Sequence, residues 1–297
     1  MNNYLIFRTD KIGDFLLTAI LIKSIKRNDP SCNITVVSSE KNFEYINSFK
    51  IVDEVFFLKK GFFNKIKLFS LLNKHLYKSI IIHDSKNRSK IISFFLKSKK
   101  KYIANIKKFD SYIDEIKNIL NYLNFNFDDK DFNTLENREV YYSKLNLKDF
   151  ILFHFDEKWI FNKYIKNYIN IEPLEHELEL FLTSLSLKLN KNIIVTTGNN
   201  TPDILSNIFK RNFNDKIKLI ENINFTDLES IINYSSLLIS CHGAVSHVAA
   251  AKNIKQIDII DKSYNYKRWT KHFRNYKSIN RKSFNELSIE ILNLNFI

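Results

Sequence analysis

The sequence is short of the residues that interrupt regular structure. Its 297 residues include only four glycines and three prolines, which excludes collagen-like and Pro/Gly-rich low-complexity chains. Two cysteines, Cys32 and Cys241, stand far apart with no CxxC pair. Neither a disulfide framework nor a zinc site is indicated, and a reducing compartment is expected. No apolar run approaches the roughly 18 residues of a membrane span, and the N-terminus enters a strand with no basic leader or cleavage site. The protein is therefore expected in the cytoplasm, with peripheral contact at the inner face of the cytoplasmic membrane left open. Both GxGxxG and GxxxxGK[ST] are missing. So are zinc-finger spacings, a basic zipper and an RNP-like aromatic motif, and no nucleic-acid partner is expected.

What is present is an apolar fraction of 44%, ample for real cores, and a length that fits two domains. The net charge of +14 suits an anionic partner. The bases are spread along the chain, with clusters at Lys59–Lys60, Lys65–Lys67 and Lys97–Lys101. Asn, Lys, Ile and Phe are abundant together, the mark of AT-rich coding, so Lys and Asn counts alone say little about function.

The organising stretch is Tyr4 to Asp14 (YLIFRTDKIGD). Tyr4–Arg8 reads as a buried strand leading into a polar turn, and Phe15, Leu16, Ala19, Ile20, Ile22 and Ile25 follow with helical period. This is the first βα unit of an open sheet, whose ligands collect at the carboxyl ends of the strands. Gly13 allows close approach of backbone to ligand. Asp14 at the mouth reads as an N-cap, a general base, or both.

Strand-like and helix-like segments then alternate. Strands are expected at Asn33–Ser38, Glu54–Leu58, Ser79–His83 and Lys101–Ala104, with helices around Lys41–Phe49, Asn64–Leu76, Asn87–Leu96 and Tyr112–Leu123. Residues 125–148 break the rhythm, and the acidic Asp128–Asp131 run reads as a solvated linker rather than a metal site. The second half restarts with Phe150–Phe155, followed by strands at Asn192–Thr197, Lys216–Ile220, Ser235–Ser240 and Gln256–Ile260. A helix is expected over Leu174–Leu189, another from Thr201–Pro202, and capping boxes at Thr226–Glu229 and Ser283–Glu286. The expected architecture is α/β: two Rossmann-like βα-repeat domains, 1–148 and 149–297, facing a central cleft, with the last helix a candidate to pack back on the first domain. That plan serves glycosyltransferases, periplasmic binding proteins and some epimerases alike.

Three strand-to-helix loops stand out: Thr9–Asp14, His154–Trp159 (HFDEKW) and Ser240–His247 (SCHGAVSH). Together with the turn after Thr196–Thr197, this set resembles the ADP-heptose:lipopolysaccharide heptosyltransferase family, glycosyltransferase family 9, of GT-B fold. Gly13–Asp14 is similar to the family's Gly-Asp pair, Lys158–Trp159 to its Lys-x-Trp loop in shortened form, and Ala244 to His247 (AVSH) to the end of its G-x-x-H loop. The resemblance implies that Asp14 is the catalytic base and that Lys158 neutralises the leaving diphosphate. His242, Gly243, Ala244 and His247 fall on the phosphate side, and Gly198, Asn199 and Asn200 on the nucleoside side. Asp10 and His83 are candidates for the acceptor side. No metal and no cofactor are implied; the nucleotide-sugar, ADP-heptose, is a co-substrate, and the acceptor is a lipid-linked or oligosaccharide core of lipopolysaccharide or a related surface glycan.

Two departures stand out. His242 replaces the family's usual Asp, exchanging an anion for a neutral or cationic donor, and Asn200 replaces a ribose-binding Glu. A non-catalytic binding or scaffold protein and a nucleotide-sugar epimerase are the alternatives. Trp159 and Trp269 are expected to pack, and Cys241 to be a buried filler. The stretch Gly61–Leu68 mixes Phe with Lys, and reads equally as one buried face with Lys outside or as a contact for an anionic membrane.

Overall fold

The computed structural model describes residues 1–135, 138, 142, 147–160, 168–198, 200–211 and 213–296. Two compact units account for them: residues 1–134 with 267–272, and residues 135–266 with 273–297. The final helix belongs to the second unit, and it is the short segment 267–272 that joins the first.

In the first unit the elements run β1 (Asn3–Phe7), α1 (Ile12–Asn28), β2 (Asn33–Ser38), α2 (Phe43–Asn47), β3 (Glu54–Phe57), α3 (Phe62–Leu72), β4 (Tyr77–Ile82), α4 (Asn87–Phe94), β5 (Ser98–Ile103) and α5 (Tyr112–Leu123). All strands are parallel, in the order β3-β2-β1-β4-β5. Tyr4, Leu5, Ile6 and Phe7 are wholly buried, as a central strand covered on both faces requires. The order reverses between β1 and β4, so their carboxyl ends diverge into separate loops and leave a crevice.

The acidic run after α5 is not the solvated linker expected from the sequence. Asp131 is buried and accepts hydrogen bonds from Ser24 Oγ at 2.6 Å and Arg27 Nη2 at 2.9 Å, both on α1. A turn of 3-10 helix over Asp129–Phe132 holds it there. Composition shows the acids but not the cation that waits for one of them.

The second unit runs β6 (Phe150–Phe155), α6 (Glu175–Leu189), β7 (Ile193–Thr197), α7 (Asp203–Lys210), β8 (Ile217–Ile220), α8 (Phe225–Tyr234), β9 (Ser235–Cys241), α9 (Ala244–Ala251) and β10 (Gln256–Ile260). After α10 (Lys267–Thr270), in the first unit, come β11 (Tyr276–Asn280) and α11 (Phe284–Asn293). Six parallel strands lie in the order β11-β10-β9-β6-β7-β8, reversing between β6 and β9. The core gathers Phe153, Phe155, Trp159, Phe181 and Phe284 around the sheet. Trp159 packs as expected, stacked on Phe155 with ring centroids 5.5 Å apart.

Three helix starts differ from the sequence reading: α7 begins at Asp203 with Pro202 as its N-cap rather than its first residue, and α8 and α1 differ as follows. Thr226 does not cap α8; Asn224 does, accepting the Asp227 N–H at 2.9 Å. Glu229 is instead buried and paired with Arg138 at 2.8 Å. Asp14 is not an N-cap either. It lies in the first turn of α1, after Gly13, and its carboxylate accepts the Lys11 N–H at 3.2 Å. The Ser283–Glu286 capping box forms as expected. Where the described residues adopt positive φ, asparagine does so most often, at Asn124, Asn190, Asn222 and Asn253, beside Ser85, Asp149 and Gly61, as the non-glycine residue best able to adopt it.

Candidate functional site

In the first unit the loops following β1, β2, β3 and β4 line a cleft of about 720 Å³ at the carboxyl ends of the strands. Asp14 lines it, half-buried. Asp10 lines it too, but its charge is already engaged: Arg8 Nη1 lies 3.2 Å away and Lys86 pairs with its other oxygen. Asp10 is thus the counter-charge within the first loop. Arg8, the last polar residue before the turn, is buried, donates to Thr18 at 2.6 Å and needs a counter-charge.

The β1 and β4 loops are laced together across the reversal. Thr9 Oγ1 donates to Asp84 at 2.5 Å, Ser89 donates to the same carboxylate oxygen at 2.7 Å, and Arg88 donates to Thr9 Oγ1 at 2.8 Å. His83 is not among the cleft's lining residues. It is buried with Nδ1 2.9 Å from Thr18 Oγ1, and burial beside Arg8 keeps it well below the usual histidine range, hence neutral. Sequence reading named Asp10, Gly13, Asp14 and His83 here; it missed Arg8, Lys86 and Arg88, for which the only signal was a cation beside a candidate acid.

In the second unit the β6 loop supplies the centre. Lys158 Nζ lies 2.6 Å from Asp156 Oδ2 and donates to the carbonyl of His242 at 3.2 Å, so it spans the reversal between β6 and β9. A Cβ on Gly243 would meet that ammonium, the movable end of a long side chain, so the glycine leaves room for Lys158 in this position, and its extended backbone is open to any residue. The loop is clamped from behind. Trp159 Nε1 donates to the His154 carbonyl at 2.9 Å, and Arg281, at the end of β11, donates to the Lys158 carbonyl at 2.8 Å.

A pocket of about 210 Å³ opens beside this centre. His154, Asp156, Lys158 and Gly198 line one part, Ala244 and Val245 at the start of α9 another, and Ile223, Phe225 and Leu228 form an apolar wall. His154 bonds Thr196 at 3.0 Å, and burial lowers it to about 4, so it is neutral near pH 7. The Glu157 carboxylate sits where a Cβ on Gly198 would be. Asn200 is exposed, and Asn199 lies outside the described residues.

His242 and His247 are not among the residues lining that pocket. Their rings lie 5.5 Å apart, with Tyr266 4.9 Å from His242 and Phe273 5.3 Å from His247. His242 Nδ1 is 2.7 Å from Asp258, which also accepts from Ser246 at 2.6 Å and Ser240 at 3.3 Å. A carboxylate only accepts, so the arrangement places the Nδ1 proton toward Asp258. Cys241 is a buried filler, its thiol pushed up to about 12 by burial. Lys158, Gly243 and Ala244, all named from the sequence, lie together here; Asp156, Glu157, Phe225 and Asp258 beside them were not named. Among the described residues no three His, Cys, Asp or Glu side chains converge as a metal-binding set.

No protein-family model and no curated protein matches the sequence. Solved structures do match in fold. The heptosyltransferase WaaC of E. coli, solved with ADP, aligns with a TM-score of 0.71 at 11% identity over 97% of this chain and 98% of its own. The glycosyl transferase family 9 structure from Veillonella parvula aligns at 0.70, with 12% identity over 100% of this chain and 92% of its own. A UDP-GlcNAc 2-epimerase from Methanocaldococcus jannaschii aligns less well, at 0.59, with 12% identity, 100% and 94%. The chain has the α/β fold of the GT-B glycosyltransferases.

Proposed function

We propose that the protein is a metal-independent, inverting glycosyltransferase that moves a sugar from a nucleoside-diphosphate donor, ADP-heptose first among the candidates, to a lipopolysaccharide core or related surface-glycan acceptor. The observation that carries this reading is the placing of Lys158 at the start of α9. An ammonium and the free N–H groups of a helix N-terminus converge at the reversal of a parallel sheet, the arrangement that binds a diphosphate. The fold shared with nucleotide-using enzymes supports the same reading.

The roles follow from the chemistry. The acceptor hydroxyl attacks the anomeric carbon while its proton passes to Asp14, and the bond from that carbon to the β-phosphate oxygen breaks. The departing diphosphate gains charge, which Lys158 and the N–H groups of Ala244 and Val245 stabilise, the Gly243 N–H being held by Ser246 Oγ at 3.2 Å. His242, fixed by Asp258, and His247 lie outside the lining of that pocket, and their place on the diphosphate side rests on the family resemblance alone. The apolar wall at Phe225 takes the base, and Glu157 over Gly198 takes the ribose hydroxyls in place of an acid at Asn200.

The test is transfer itself: donor and a lipid-linked core acceptor incubated with chelator, products read by mass spectrometry. Glycosylated acceptor from the native chain, reduced about a hundredfold or more in Asp14→Asn, supports the reading. Turnover unchanged in that variant refutes the base. Conversion of free donor without acceptor would indicate an epimerase instead.

A further inference from the structure

Residues 55–109 hold fifteen lysines and arginines and one acid, a net charge equal to the +14 of the whole chain. The rest of the molecule is therefore neutral in sum. The one acid, Asp84, is buried and bonded to Thr9 and Ser89, so the surface of this stretch carries cations alone.

The same stretch contains α3 and α4. Each buries one stripe, Leu68 and Leu72 from α3, and Ile92 with the following Leu96 from α4, and leaves the other bare. Phe63 is 84% exposed, Phe94 75%, Phe62 72% and Phe95 63%, with Ile66 and Ile91 beside them. Between the helices lies a groove of about 380 Å³ whose walls include Phe62, Ile66, Phe69, Ile91 and Phe95, together with Lys65 and Arg88. Single exposed apolar residues are ordinary; a joined patch of four phenylalanines and two isoleucines marks a contact surface.

The charge decides what covers it. A second copy of the chain would bring the same cationic patch against itself, and like charges oppose that contact. Neither α3 nor α4 carries an acid, while Lys65, Lys67, Arg88 and Lys90 stand on them and Lys97, Lys99, Lys100 and Lys101 follow. Lys101 Nζ donates to the Phe94 carbonyl at 3.0 Å, which holds a cation at the edge of the phenylalanines. Aromatic rings ringed by lysines match the interface of an anionic bilayer, rings at the headgroup boundary and ammonium groups on the phosphates.

We propose that the α3–α4 face is a docking surface for an anionic lipid bilayer. Phe62, Phe63, Phe94 and Phe95 enter the interface, and the surrounding lysines hold the headgroups. Among the described residues no helix is long and apolar enough to cross a membrane, so this attachment is peripheral and reversible. It stands apart from the transferase reading, since binding requires no substrate.

The test is co-sedimentation of the full chain with phosphatidylcholine vesicles, with and without phosphatidylglycerol, at low and high salt. Binding to the anionic vesicles alone is expected, weakening as salt rises. The variant Phe63→Ser/Phe94→Ser, whose changes are at exposed positions and leave the melting temperature unmoved, should lose about tenfold or more in affinity. Lys65→Gln/Lys67→Gln should bind more weakly and with a shallower salt dependence. Absence of binding to anionic vesicles overturns the proposal, as does equal binding by the phenylalanine variant, which would mean adsorption by charge alone. A dimer in sedimentation velocity that the phenylalanine variant abolishes would assign the face to self-association instead.

Discussion

His242 Nδ1 lies 2.7 Å from a carboxylate oxygen of Asp258, a residue with no solvent exposure. Asp258 accepts from two serines as well, so its negative charge is the hub of the β9–α9 turn. Asp258→Asn keeps the shape but places an amide N–H among donors. A loss of about 2 kcal/mol is expected by urea unfolding, because hydrogen bonds to a charged group are the strong ones. Ser240→Ala, at the longest of the three contacts, should cost less than about 1 kcal/mol. Equal costs would mean that the charge is not the hub.

Gly243 and Lys158 form a second close relationship. In Gly243→Ala the new methyl must displace the Lys158 ammonium, the flexible end of a long side chain, so the fold should survive with its melting temperature nearly unchanged. Nucleoside-diphosphate affinity should fall about tenfold, equal to ~1.4 kcal/mol, by isothermal titration. Unaltered affinity would remove Lys158 from the phosphate side.

Acid should unfold the protein through its buried histidines. Burial lowers His154 from 6.5 to about 4 and His272 from 6.5 to about 3, and puts His83 well below its usual range. Each is neutral in the fold and protonates readily once unfolded. Their contribution is complete above pH 6.5 and is lost as pH falls from there toward the folded values, His154 alone accounting for ~3 kcal/mol. Urea-derived stability should therefore drop steeply between pH 6.5 and 4, and His154→Asn should lower that slope by close to one proton. A slope the same in variant and native chain contradicts the assignment.

The Asp131 contact with α1 predicts a structural cost far from any loop named for chemistry. Asp131→Ala strands Arg27 and Ser24. Arg27 is about a third exposed and partly solvated, so a loss of about 1–3 kcal/mol is expected rather than the full cost of a broken buried pair. The unfolding midpoint of the first unit is the readout.

The parallel sheets were legible because central strands such as YLIF and FILFHF are continuous apolar runs separated by helical periods. The closeness of Lys158, Gly243 and Ala244 was legible because the loops after neighbouring strands of such a sheet meet at its carboxyl edge. Other features were hidden in physical terms. Asp258 sits in the strand QIDII, where one acid in an apolar run gives no sign of the three donors around it. Asn224 and Thr226 are both able to cap a helix, and only the fold's placing of Glu229 against Arg138 decides between them. Asp14 shares that ambiguity, since a carboxylate at the third helical position reads like one at the cap. The strand Tyr276–Asn280 and the short helix Lys267–Thr270 were not expected, their sequences being polar and without clear period.

Nucleotide binding tests the central claim most directly. Thermal unfolding of the native chain, Lys158→Gln and Gly243→Ala would be followed with ADP, UDP, GDP, CDP and CMP in the presence of chelator. A ligand that binds the native state raises its melting temperature. The account predicts that a nucleoside diphosphate, ADP foremost, raises that of the native chain and has a much smaller effect on both variants. No shift with any nucleotide, or the same shift in Lys158→Gln, would contradict it.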